Sequence, residues 1–107
     1  MIELYAKEFV AIGRYLERQG KVRKGYALIE KGSLEVLLDR NHYDTSNNKL
    51  KIWKALKWID TEADGRLTKR VYDGADHRYR PYVKLNMAVL EQLEKLQKQK
   101  NRMYIQK

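Results

Sequence analysis

Apolar residues recur at helical spacing over Ile2–Arg18, where Tyr5, Phe9, Ile12 and Leu16 share one side, so the pattern predicts an amphipathic first helix. Gly20 follows in the position of a helix stop. Tyr26-Ala27-Leu28-Ile29 lies between Gly25 and Gly32, which favours a short strand over the start of a helix running to Asp39. Ser33 is the expected N-cap of a second helix with Leu34, Leu37 and Leu38 as its buried stripe, and Asn41 to Asp44 breaks it. Thr45 caps a third helix through Lys57, whose apolar side carries Leu50, Ile52, Trp53 and Leu56, with Ile59 just beyond. Trp53 and Trp58 are read as core. Asn86 caps a last helix from Met87 to about Lys100 with Val89, Leu90, Leu93 and Leu96 inward, and residues 101–107 are expected to form a flexible tail.

Between the third and last helices the period changes from helical to two. Strand side chains alternate faces, so Gly65 to Leu85 sorts by parity. Even positions hold Arg66, Thr68, Arg70 and Tyr72, then Arg78, Arg80, Tyr82 and Lys84; odd positions are largely apolar. Keeping these sets apart requires Leu67 opposite Val83 and Val71 opposite Tyr79, hence a five-residue loop from Asp73 to His77 or a bulge. The tight Asp73-Gly74 turn is the alternative hairpin signal. In the chosen register five cations crowd one face without an acid. Like charges opposite one another repel, so the face is expected to await a polyanion.

Composition agrees with that expectation. At 107 residues the chain is read as one domain over 1–100, with a single modest core. Lys and Arg number 23 against 14 Asp and Glu, a net charge of +9, which bears on partners rather than on fold. The charge is uneven: Ser33 to Asn48 is net acidic, while Lys49 to Lys57 holds four lysines and no acid. No apolar run approaches a membrane span and the charged start, MIELYAKEF, is no secretory signal, so a cytoplasmic protein without membrane partners is expected. With no cysteine, thiolate metal sites and disulfides are excluded. The two histidines, His42 and His77, show no metal-binding spacing. Asp60, Glu62 and Asp64 before Gly65 fail the calcium-loop pattern. No catalytic constellation, cofactor or metal is expected, and the chain is read as non-enzymatic.

Two short helices joined by a tight break and followed by a basic hairpin, with the phrases ALKWID and GRLTKRV, resemble the winged helix-turn-helix family over Ser33 to Leu85. The resemblance implies an α+β fold: three helices, a β-hairpin wing and a C-terminal helix. It implies that the third helix approaches a groove of double-stranded DNA while the wing lies beside it. In size and layout the chain also resembles the TcpK-type accessory proteins of conjugative plasmids. That implies a role at an origin of transfer, with a relaxase as a further partner.

The expected DNA-binding residues divide by chemistry. Arg66, Arg70, Arg78, Arg80 and Lys84 on the wing, with Lys49 and Lys54 on the third helix, would meet phosphates. Asn47, Asn48 and Lys51 lie near the start of that helix, where base contacts are usual. Asn47 and Asn48 could equally cap backbone amides. Tyr72 and Tyr82 stand among arginines and could pack against sugar edges or stack under guanidinium groups. A homodimer reading two half-sites is compatible with the pattern. Other readings are a replication initiator (and so a replication complex as partner), a transcriptional regulator, or a protein-interaction or inhibitor module that does not bind DNA.

Overall fold

The computed structural model describes residues 2–105, with side chains described for 2–99. Helix α1 (Ile2–Arg18) is followed by strands β1 (Val22–Arg23) and β2 (Tyr26–Ile29) and helices α2 (Lys31–Leu38) and α3 (Ser46–Ala55). Strands β3 (Ile59–Asp60), β4 (Lys69–Asp73) and β5 (Arg78–Asn86) and helix α4 (Met87–Ile105) complete the chain. The result is an α+β domain of four helices and a small antiparallel sheet. Strand β5 is its hub: β2, β3 and β4 all pair with it, and β1 pairs with β2. Among the described residues no helix is long and apolar enough to cross a membrane.

Local chemistry explains most boundaries. Gly20 has φ +72°, and the amides of Gly20 and Lys21 donate to the carbonyls of Glu17 and Leu16, a Schellman ending for α1. Strand β2 occupies Tyr26–Ile29, as its flanking glycines indicated. The Thr45 hydroxyl accepts the Asn48 amide at 3.2 Å, capping α3. Asn86 Oδ1 accepts the amides of Ala88 and Val89 and so starts α4. Three expectations need correction. Helix α2 begins at Lys31 after Glu30, placing Ser33 inside its first turn rather than at its cap. Helix α3 ends at Ala55, so Leu56 serves as C-cap and stays exposed instead of joining the core. Helix α4 runs to Ile105, past the expected end near Lys100. The flexible tail expected over 101–107 falls where side chains lie outside the described residues, and 106 and 107 lie outside them entirely.

The core forms where α1, α3 and the base of the sheet meet. Phe9 sits edge-on to Trp53 at 5.0 Å and tilted against Trp58 at 5.4 Å. Val83 and Leu85 of β5 and Leu34, Leu38 and Leu50 of the helix pair are fully buried around them. Helix α4 closes the far side of α1. A Cβ built on Gly13 would stand 2.1 Å from Leu90 Cδ1, and Leu90 has no exposed surface into which to retreat. Glycine within a helix normally costs about 1 kcal/mol relative to alanine, so here close helix approach overrides propensity. Gly13→Ala is therefore expected to destabilise by about 1–3 kcal/mol through overpacking. Thermal melting checks this, and Gly13→Ala with Leu90→Ala in the same chain should lose less than the sum of the two single losses, because the shortened side chain makes room for the added methyl.

Candidate nucleic-acid interface

The hairpin does not have the register that parity favoured. Its loop is Gly74–His77, four residues, with His77 at φ +55° and the Ala75 amide bonded to Asp73 Oδ1. One residue fewer in the loop moves the pairing by one. Arg70 stands opposite Pro81 and Tyr72 opposite Tyr79, while Lys69, Val71 and Asp73 oppose Tyr82, Arg80 and Arg78. The expected cationic face is thereby divided: Arg70 and Tyr72 lie on one side, and Arg78, Arg80, Tyr82 and Lys84 on the other. Arg66 is on neither, because β4 starts only at Lys69.

Acids accompany these cations. Arg80 is bonded to Asp76, with Asp73 at 3.7 Å, and the Asp76 hydrogen bond holds its pKa above the ordinary arginine value. Lys69 and Lys84 share Asp60 Oδ2 at 3.0 and 3.5 Å; the Lys69 ammonium is raised chiefly by its hydrogen bond to that carboxylate. Lys84 also lies 4.4 Å from the Tyr26 ring centre. Arg66 pairs with Asp64 at 2.9 Å, and Arg70 has Glu62 at 4.0 Å. From Asp60 to Lys84 there are six Lys and Arg against five Asp and Glu, a net charge of +1. Interleaving avoids the repulsion a wholly cationic face would carry. Arg78 alone of these six has no ion pair among the described residues.

Lys49 needs correction as well. It was expected to meet phosphate, but it is fully buried, facing α1 and the α2–α3 turn. Its ammonium donates to the carbonyls of Leu38 and Asn41, both at 2.6 Å, and lies 3.1 Å from Glu8 Oε1. Glu8 also accepts from Tyr43 (2.5 Å) and Asn41 (2.8 Å). Burial first, then the bond to Glu8, pushes the Tyr43 phenol far above its ordinary value. Beside this cluster Tyr5 donates to Asp44 at 2.7 Å, which holds that carboxyl below the ordinary aspartate value. The cluster locks the two-helix unit to α1 and sets which side of α3 faces outward.

The outward side is the exposed row Asn47, Lys51 and the half-buried Lys54. Together with Lys31 of α2 and with Arg66 and Thr68 of the loop before β4, it lines a shallow open groove with no acid among its lining residues, although Arg66 is paired with Asp64 and Lys31 has Glu35 at 4.0 Å. Lys54 Nζ donates to the Arg66 carbonyl at 2.9 Å and pins that loop against α3. Asn47 and Lys51 make no hydrogen bond or ion pair among the described residues. Asn48 is exposed, but its side-chain amide donates to Asp44 at 3.3 Å and its backbone amide to Thr45, so it belongs to the cap. Lys57, just past α3, is exposed at φ +61°.

The structure thus brings together Asn47, Lys51, Lys54 and Arg66 and sets Lys49, Asn48, Arg80 and Lys84 to other tasks. It adds Lys31, which the sequence pattern missed because it precedes the expected start of its helix. Tyr82 is half-buried on the outer face of the sheet. Among the described residues no group of three or more His, Asp or Glu side chains is placed to hold a metal ion. No protein-family model matches this chain, and no curated protein matches it.

Proposed function

We propose that this chain is a winged helix-turn-helix protein that binds double-stranded DNA, with α3 as the groove-facing helix and the β4–β5 hairpin as the wing. One observation carries the reading: an open groove lined by four cations and an unengaged asparagine, two of those cations, Lys51 and Lys54, having no ion pair among the described residues. Element order supports it, since α2 and α3 form a tight pair and β2, β3 and the wing converge on β5. Phosphates attract Lys31, Lys54 and Arg66 regardless of sequence. Asn47 and Lys51, one turn apart near the start of α3, have the donor geometry to read adenine and guanine edges.

This reading moves the electrostatic weight from the wing to α3. The wing's net charge of +1 makes it a positioning element rather than the main source of affinity. From its size and layout we extend the proposal to an accessory role at a mobile-element origin of transfer, of the TcpK type, beside a relaxase. A selection of bound sequences from random duplexes separates that role from replication or transcription by the site recovered. The binding itself is tested by titrating a mixed-sequence duplex at increasing salt. Four to five phosphate contacts predict a log–log slope of roughly −4. Absent or salt-insensitive binding removes the DNA reading and favours an interaction module.

A further inference from the structure

The face of β5 that is core at its base does not end with the core. Val83 and Leu85 are fully buried, but the same face continues outward through Pro81 and Tyr79, paired across the strand with Arg70 and Tyr72. Tyr79 is 67% exposed and Tyr72 47%, and their rings meet edge to face at 5.3 Å. Tyr72 is held by its hydroxyl, 3.0 Å from His77 Nδ1, whereas the Tyr79 hydroxyl has no hydrogen bond among the described residues. A contiguous aromatic ledge on an otherwise charged hairpin is the type of exposed apolar surface that marks an interaction site.

We propose that the Tyr72–Tyr79 ledge stacks on a nucleobase exposed at a break in base pairing, so that the protein prefers DNA carrying an unpaired base to a continuous duplex. The inference rests on the reading of α3 as the duplex-contacting helix. In a continuous duplex both faces of every interior base are already stacked, and an aromatic side chain gains only sugar contacts. An unpaired base offers a free π face to which any tyrosine of suitable exposure can stack. Charge selects a nucleic acid over a neutral apolar partner. Arg70 lies on the same face as the tyrosines, more than half exposed and with Glu62 only at 4.0 Å, and the unpaired Arg78 stands beside the loop. The ledge is also tied to the groove, because the Arg70 amide donates to Glu62 Oε1 in the segment leading to the Arg66 loop. Duplex on α3 and an extruded base on the wing can therefore be held together.

The test compares one mixed-sequence duplex, fully paired, with the same duplex carrying a single bulged 2-aminopurine. Wild type is expected to bind the bulged form about tenfold tighter, one stacking contact's worth, and to change the 2-aminopurine emission on binding. Tyr79→Phe keeps both effects. Tyr79→Val, a strand-favouring replacement that preserves the hairpin, loses the preference and leaves the affinity for paired duplex unchanged. Equal affinity for the two probes in wild type overturns the ledge while leaving the duplex reading intact. So does a preference that survives in Tyr79→Val. Binding to the bulged probe alone overturns the duplex reading and keeps the ledge; binding to neither overturns both. The emission change in wild type needs no variant, so a misfolded substitution cannot hide the answer.

Discussion

Lys49→Ala is expected to lose about 3–5 kcal/mol of stability, the usual cost of breaking a buried ion pair from one side. A domain of this size has only about 5–15 kcal/mol to lose, so the variant should be largely unfolded at moderate denaturant. The physical cause is specific. The three ammonium protons go to Glu8, the Leu38 carbonyl and the Asn41 carbonyl. Without them a buried carboxylate faces the Asn41 carbonyl, which loses its donor, and the Leu38 carbonyl, which keeps only the long bond from the Asn41 amide, while Tyr43 and Asn41 still hold Glu8 in place. Paired replacement should behave differently. Glu8→Gln with Lys49→Met removes both charges, keeps an amide acceptor for Tyr43, and is expected to recover most of the loss. Urea denaturation of the two single variants and the double measures the coupling directly. The double variant should also bind DNA with the wild-type salt slope. A folded double variant with a flattened slope would restore Lys49 to the phosphates.

Lys51→Ala and Lys54→Ala are expected to give the largest functional losses, lowering the salt slope by about 0.9 for each phosphate contact removed. Where Lys51 instead meets a base edge, discrimination between sites falls by about 1–3 kcal/mol with little change in slope. Asn47→Ala belongs to that second class. The contrast is Arg80→Ala on the wing. Its guanidinium is engaged by Asp76 and Asp73, and an exposed pair of this kind contributes at most about 1 kcal/mol to stability. DNA affinity should therefore barely move, whereas Arg78→Ala should weaken all sequences alike. Lys54→Ala also frees the Arg66 loop, so its melting temperature must accompany its affinity. Unchanged slopes in both lysine variants would detach the α3 groove from the mechanism.

The parts of this molecule legible in advance are those decided within a few residues. The extent of α1 follows from a helical stripe and a left-handed glycine at its end. Thr45 and Asn86 announce the starts of α3 and α4 by capping chemistry that acts over three residues. The burial of Trp53 and Trp58 follows from their place in the apolar pattern. Asn47, Lys51 and Lys54 were also readable as one helix face, since spacings of four and three place them on one side.

What the tertiary structure decided are the matters settled between distant residues. Nothing near Lys49 in the chain tells its ammonium to turn inward; Glu8, forty-one positions earlier, does so across a helix packing contact. Charge alone marked it as surface because a local window contains no partner. The wing failed for a related reason. Alternation assigns residues to faces within each strand, but the pairing of two strands depends on the loop between them. A loop of four residues instead of five exchanged one strand's faces relative to the other's. Sequence by itself thus determined the four helices and the hairpin, the caps of α3 and α4 and the basic row on α3. The fold chose the register, paired most of the hairpin cations with acids and left Lys51 and Lys54 of the helix without an ion pair among the described residues, because pairing energies depend on distances that no local pattern specifies.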